Sequence, residues 1–115
     1  MIEVKAYYNI PKNTKKGCDI KFTEIIVKGH ANNGDMNSIK CCAGVTSILY
    51  GFSKVCTGGD DEVMKMEKGY FYYKTYHNVV ELDYYSNLVI IQLYEVYKTY
   101  PSLFSKFDLI EKENY

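Results

Sequence analysis

Within residues 29–51 the sequence changes from small polar residues to apolar residues, and this change limits the folds that the chain can adopt. Residues 29–37 are small and polar, a composition that predicts a mobile surface loop. The apolar residues that follow recur at intervals of three and four, which is the spacing of an amphipathic helix. We predict that Ser38 is the N-cap of this helix, so that Cys41 and Cys42 lie in or near its first turn.

The segments around this stretch predict a small β-sheet. Apolar and polar residues alternate over residues 2–8, and residues 20–27 form a second run that ends apolar on both faces. This second run is expected at the centre of the sheet, paired antiparallel with the first across a polar connection. An aromatic-rich run at 70–76 predicts a third strand. Two further short strands are predicted at 79–82 and, at the sheet edge, 104–111.

A second helix has the clearest periodicity in the chain, over residues 85–100, and Pro101 ends it. Residues 57–68 hold two adjacent glycines followed directly by three consecutive acids and are predicted to form a loop. A chain of 115 residues suffices for one core, so residues 1–115 are expected to form a single domain. We predict an α+β fold: a small, mostly antiparallel sheet with two helices packed on one face.

Composition argues against several classes of function. The formal net charge is zero and all 14 basic residues are lysine, so no nucleic-acid partner is expected. No apolar run approaches the ~18 residues of a membrane span, and no membrane partner is expected. The chain is therefore expected to be cytoplasmic, with its four cysteines reduced. Their spacing fits no zinc pattern, so neither a metal nor a cofactor is predicted.

His30 and Cys42, on either side of the loop, are candidates for nucleophilic catalysis. A cysteine near a helix N-terminus meets the positive end of the helix dipole, and the N–H groups of Cys42 and Ala43 could bind an oxyanion. The alternative is structural, because free cysteine is among the most buried residue types. Cys41 lies about 100° round the helix and is expected to pack. His77 is a weaker candidate for the base.

The same residues resemble a known family. Gly-His-Ala, a small polar loop, Cys-Ala-Gly and a helix that closes at Tyr-Gly are similar to the ribosomal-processing cysteine proteases (Prp) of Firmicutes and related bacteria. A histidine and a cysteine twelve positions apart form the catalytic pair in that family, and they match His30 and Cys42. The resemblance implies a homodimer of cysteine-protease-like domains. The resemblance further implies that this homodimer removes the N-terminal extension of a large-subunit ribosomal protein by cutting next to an aromatic residue.

Two positions depart from the family pattern. The family usually has an aspartate three positions before the cysteine, where this chain has Ile39, and a serine four positions after it, where this chain has Thr46. Thr46 keeps a hydroxyl group, whereas Ile39 cannot hold an imidazolium. Asp35 is the loop carboxylate that could take this place. Gly29 and Gly34 are the expected hinges of a loop that closes over the substrate.

Three hypotheses follow from these residues. The first is a cysteine endopeptidase with Cys42 as nucleophile and His30 as general base. The second, motivated by Ile39, is a catalytically impaired relative that binds a ribosomal protein segment or a ribosome-assembly partner. The third is a domain of unrelated function in which the match arose by chance. Cleavage that depends on Cys42 would separate the first hypothesis from the other two.

Overall fold

The computed structural model describes residues 1–10, 20–31, 34–56, 62–76 and 80–112 of the chain. Within these ranges no helix combines the length and the apolar character needed to cross a lipid bilayer. The elements, in chain order, are β1 (Ile2–Asn9), β2 (Lys21–Lys28), α1 (Met36–Val55), β3 (Glu62–Glu67), β4 (Tyr70–Thr75), α2 (Val80–Thr99), a 3-10 turn (Pro101–Leu103) and β5 (Phe104–Glu111).

The strands form one mixed sheet in the order β3-β4-β2-β1-β5. β1 pairs antiparallel with β2, and β2 lies at the centre, so both predictions are confirmed. β4 continues the antiparallel pairing, with Tyr73 opposite Ile25, and β3 completes a hairpin with it. β5 occupies the predicted edge and runs parallel to β1. The prediction of a small α+β fold with a mostly antiparallel sheet is therefore confirmed.

One hydrophobic core lies between the sheet and the two helices. Alternate strand residues are buried on the face toward the helices, among them Val4, Ile25 and Tyr73. α1 contributes Phe52, whose ring meets the Tyr73 ring edge-on at 4.8 Å between centroids, and α2 contributes the fully buried Leu93. Burying side chains of this size stabilises the fold by roughly 1.5–3 kcal/mol each. Because all these residues belong to one cluster, both helices pack on the same face of the sheet.

One strand lies where the sequence predicts a loop. Of the predicted loop at 57–68, residues 57–61 lie outside the described residues, and residues 62–67 form β3. β3 is an edge strand, and most of its side chains are exposed, including that of Lys65. An edge strand of this kind lacks the regular alternation of buried and exposed residues from which the other strands are predicted.

α2 begins earlier than predicted. The sequence predicts a short strand at 79–82, but from Val80 onward this segment is the first turn of α2. The sequence of this segment contains two acids, Glu81 and Asp83, and acidic residues are enriched in the first turn of helices. The strand prediction is therefore wrong from residue 80 onward, and residue 79 lies outside the described residues.

α1 also begins earlier than predicted. Its N-cap is Asp35, whose Oδ1 accepts a hydrogen bond of 2.8 Å from the backbone N–H of Ser38. The predicted N-cap at Ser38 is therefore wrong, and Cys41 and Cys42 lie in the second turn. Aspartate caps a helix as well as serine does, and the exposed Met36 adds no buried residue that would mark the true start. The hydrogen bond from Ser38 lowers the pKa of the Asp35 carboxyl group.

Candidate active site

A pocket of about 410 Å³ lies between α1, the end of β2 and the β3–β4 hairpin. Both members of the predicted pair, His30 and Cys42, line it. His30 lies there because β2 ends at Lys28, and Cys42 lies there because the second turn of α1 packs beside this strand end. The fold therefore brings the two residues to one pocket, while their catalytic roles stay a prediction.

The sulfur of Cys42 contacts the backbone of Ala31. The Ala31 N–H donates a hydrogen bond to Sγ at 3.3 Å, and Sγ lies 3.9 Å from the Ala31 carbonyl oxygen, which can accept from the thiol. Cys42 is half-buried, in contrast to a core residue. An N–H donor and a carbonyl acceptor at one sulfur provide a partner for both the thiolate and the thiol.

The other described cysteines occupy different environments. Cys41 is fully buried in the core, and burial together with the neighbouring Cys42 raises the pKa of its thiol. The expectation that Cys41 packs is therefore confirmed. Cys56 follows the last residue of α1, where burial and the charge of Glu62 raise its pKa to about 12. Two residues considered from the sequence, Cys18 and His77, lie outside the described residues.

The predicted oxyanion site at the helix start requires a correction. The first hydrogen bond within α1 runs from the Ile39 N–H to the Asp35 carbonyl oxygen, at 3.1 Å. The N–H groups of Cys42 and Ala43 come later in the helix, where each N–H bonds to the carbonyl four residues earlier. They are therefore already paired while α1 stays helical. Only the N–H groups of residues 35–38 lie at the helix start.

The β3–β4 turn lies against the end of β2. The Gly29 N–H donates to the Gly69 carbonyl oxygen at 2.9 Å, and the half-buried His30 ring packs directly against Gly69. Gly29 has φ +93°, and a Cβ atom at this position would overlap the carbonyl oxygen of Met1. The His30 side chain makes no hydrogen bond or ion pair with any described residue.

The other predicted supporting residues lie on the loop and along α1. The Asp35 carboxylate is exposed and caps α1, and no hydrogen bond or ion pair joins it to His30, so the structure does not support the predicted role of Asp35 beside the histidine. Ile39 is 58% exposed on α1. Thr46 is exposed and lines the pocket. Gly34 has φ +70° with open space around it, which agrees with a hinge but does not test one.

The pocket wall is mostly apolar. Glu67 and Lys68 contribute charge, and Tyr50, which is 54% exposed, also lines the pocket. An apolar pocket with a few polar groups is typical of a site that binds a side chain of a ligand. Within the described residues no cluster of three or more His, Cys, Asp and Glu side chains could hold a metal ion. The apolar lining consists of Ile2, Val27, Val45, Leu49, Met66 and Phe71.

The β3–β4 hairpin forms one wall of this pocket, which was not predicted from the sequence. Six consecutive lining residues, 66–71, belong to β3, the turn and β4. A glycine between a charged segment and an aromatic run is a turn signal, so Gly69 could have been recognised as the tip of a hairpin. Its proximity to His30 could not, because the two are 39 positions apart and meet only through sheet pairing.

Comparison with solved structures identifies proteins of the same fold. The Staphylococcus aureus ribosomal processing protease Prp, crystallised with a covalently linked product peptide, gives a TM-score of 0.66 at 19% identity, over 95% of this chain and 99% of that one. The same protease in complex with a substrate peptide gives 0.65 at 18% identity, with the same coverage. SMU.848 from Streptococcus mutans gives 0.64 at 12% identity, over 96% of each chain. No protein-family model and no curated protein sequence matches the chain.

These likenesses extend the resemblance seen in residues 29–51 to nearly the whole chain. At identities below 20% they concern the fold and leave the activity of this chain open. The chain therefore has the fold of the ribosomal processing protease Prp, and it resembles that family.

Proposed function

We propose that this protein is a cytoplasmic cysteine endopeptidase that removes the N-terminal extension of a large-subunit ribosomal protein. The observation that carries the proposal is the placement of the Cys42 sulfur against the Ala31 N–H, in a pocket that His30 also lines. A thiol with a backbone donor, in one pocket with a histidine, is compatible with a cysteine nucleophile and its general base. The likeness to Prp, which was crystallised with substrate and product peptides, supports a peptide ligand.

The proposed reaction needs no cofactor. His30 takes the thiol proton, and Sγ of Cys42 attacks the scissile carbonyl to form a tetrahedral intermediate. His30 then gives the proton to the leaving amine as the C–N bond breaks, which leaves a thioester on Cys42. Water attacks this thioester while His30 removes its proton, and the released thiolate takes that proton back. The Ala31 N–H is the proposed oxyanion donor, because it already lies beside the reacting sulfur.

The pocket supports the substrate part of the proposal. Its apolar wall suits an apolar or aromatic side chain next to the scissile bond, and its volume of about 410 Å³ is sufficient for one such side chain. The chain that carries this side chain would run past Cys42, where the loop that includes Gly34 could close over it. Closure would exclude water until the acyl transfer is complete.

A homodimer is the proposed working form. α2 carries an exposed apolar stripe of Tyr84, Leu88 and Ile91, which share one face of the helix through their spacing of four and three. Exposed apolar stripes of this kind are typical of interfaces. Light scattering should therefore find a dimer that Leu88→Glu dissociates. A wild-type monomer at assay concentration would contradict this part of the proposal.

The second candidate is a catalytically impaired relative that binds the same segment without cleaving it. It is favoured by Ile39, which cannot orient a base, and by the absence of a hydrogen-bond partner for His30 among the described residues. Under this hypothesis, calorimetry would detect binding of the extension peptide while long incubation yields no product.

Cleavage of a peptide that represents the ribosomal protein extension tests the proposal. Cys42→Ala should abolish product formation, because the nucleophile is lost, whereas the matched variant Cys41→Ala should keep most of it at a temperature where both are folded. Equal activity of the two variants would remove Cys42 from the role of nucleophile. Binding without product in the wild type would favour the second candidate.

A further inference from the structure

Gly69, at the tip of the β3–β4 hairpin, touches the proposed base. An ideal Cβ atom at this position would overlap Nε2 of His30 and lie 2.9 Å from Cε1 and 3.1 Å from Cδ2. These three atoms form the outer edge of the imidazole ring, so the ring occupies the space that a side chain at residue 69 would fill. Gly69 also has φ +75°, a backbone conformation that favours glycine.

A second contact fixes the same turn to the residue before the base. The Gly29 N–H donates to the Gly69 carbonyl oxygen at 2.9 Å. The backbone of residue 69 therefore holds the end of β2, while its α-carbon supports the ring of the next residue, His30. The hairpin is fixed in turn by β4, which pairs along β2 from Glu24 to Lys28.

No polar contact with a described residue holds the His30 ring in its place. His30 has no hydrogen-bond or ion-pair partner among them, and the Asp35 carboxylate bonds to the backbone of Ser38. Residue 39, three positions before Cys42, is an exposed isoleucine and offers no polar group. A general base must nevertheless be held within hydrogen-bond reach of the proton that it takes. Packing against a glycine can supply this restraint where no carboxylate is available.

We propose that Gly69 is the positioning residue of His30: the missing side chain at residue 69 leaves the space that the imidazole ring occupies and so fixes its orientation in the pocket that Cys42 also lines. The proposal rests on the proposed function only in assigning His30 as the base. It predicts that a Cβ atom at residue 69 displaces the imidazole ring even in a residue type that tolerates positive φ.

Two substitutions separate ring displacement from backbone strain. Both Gly69→Ala and Gly69→Asn introduce a Cβ atom at residue 69. Alanine disfavours positive φ, whereas asparagine tolerates it. We expect both variants to lower kcat by about tenfold or more, since a misplacement of about 1 Å can cost a factor of ~100, with KM changed less than about twofold. Wild-type kcat in Gly69→Asn alongside a large loss in Gly69→Ala would overturn the proposal, because strain alone would then explain the loss.

Nuclear magnetic resonance of the imidazole gives a readout that does not depend on cleavage. The chain has two histidines, so His77→Gln in every sample leaves the ¹⁵N signals of His30 alone. Both Gly69 variants should shift these signals. Gly51→Ala should leave both the His30 signals and kcat unchanged, because a Cβ atom at this helical position has no atom within 4 Å apart from its two chain neighbours and the adjacent helix backbone. Unchanged His30 signals in the Gly69 variants would overturn the inference, whereas an inactive wild type would instead refute the proposed function.

Discussion

The two adjacent cysteines allow structure and chemistry to be separated by one pair of substitutions, Cys41→Ser and Cys42→Ser. Serine in place of the fully buried Cys41 sets a hydroxyl group in an apolar core, which costs about 1–3 kcal/mol of unfolding free energy. Serine in place of the half-buried Cys42 keeps the backbone N–H and carbonyl of Ala31 as partners, so its cost is expected within about 0.5 kcal/mol.

Thermal unfolding turns these free energies into temperatures. At about 2.1 cal/mol/K per residue, a chain of 115 residues has an unfolding entropy near 240 cal/mol/K, so 1 kcal/mol shifts the Tm by about 4 °C. Cys41→Ser should therefore lower the Tm by about 4–12 °C and keep peptide cleavage at 20 °C. Cys42→Ser should change the Tm by no more than about 2 °C and lose cleavage. A large loss of stability in Cys42→Ser, or loss of activity in folded Cys41→Ser, would refute the assignment of the two environments.

Three further predictions follow from the structure. The Asp35 cap stabilises the fold at pH values above the ordinary carboxyl pKa of 3.8, and this stabilisation is lost as the pH falls from there through the lowered pKa of the folded state. Asp35→Asn should therefore flatten the dependence of Tm on pH between pH 2 and 4. An unchanged dependence would contradict the cap. Gly29→Ala should destabilise the protein by at least about 2 kcal/mol in urea unfolding, because its Cβ atom would overlap the carbonyl oxygen of Met1. Gly51→Ala should instead stabilise the protein by roughly 0.5–1 kcal/mol. Equal effects of the two substitutions would refute the close approach of Gly29 to Met1. The Cys56 pKa of about 12 predicts an iodoacetamide labelling rate that still rises at pH 10, and a plateau below that pH would show an ordinary thiol.

The sequence predicts best those elements that bury one regular face. In β1 apolar residues recur every second position, and in α2 they recur every three or four positions, because each element packs one side on the core. β3 escapes prediction because an edge strand with most side chains exposed has no such pattern. The start of α1 is misplaced because Asp35 and Ser38 are equally good N-caps, and only the loop backbone decides between them.

The candidate site divides in a similar way. His30 and Cys42 could be paired from the sequence because they flank one short loop and match a family spacing, and the fold brings both to one pocket. The Ala31 N–H and Gly69 could not be predicted as their partners. Ala31 contacts sulfur through its backbone, which any residue type supplies, and Gly69 reaches His30 only through the pairing of β2 with β4. Contacts made by backbone atoms and by a missing side chain leave little trace in a single sequence.

The most direct test of the central claim is intact-protein mass spectrometry during turnover of the extension peptide. The proposed mechanism predicts a transient adduct with the mass of the N-terminal product minus water, which peptide mapping locates on Cys42 and which Cys42→Ala does not form. In folded His30→Gln the adduct should form and decay more slowly, because the base acts in both steps. Product that accumulates in Cys42→Ala at the wild-type rate, or an adduct on Cys56 instead, would contradict the account.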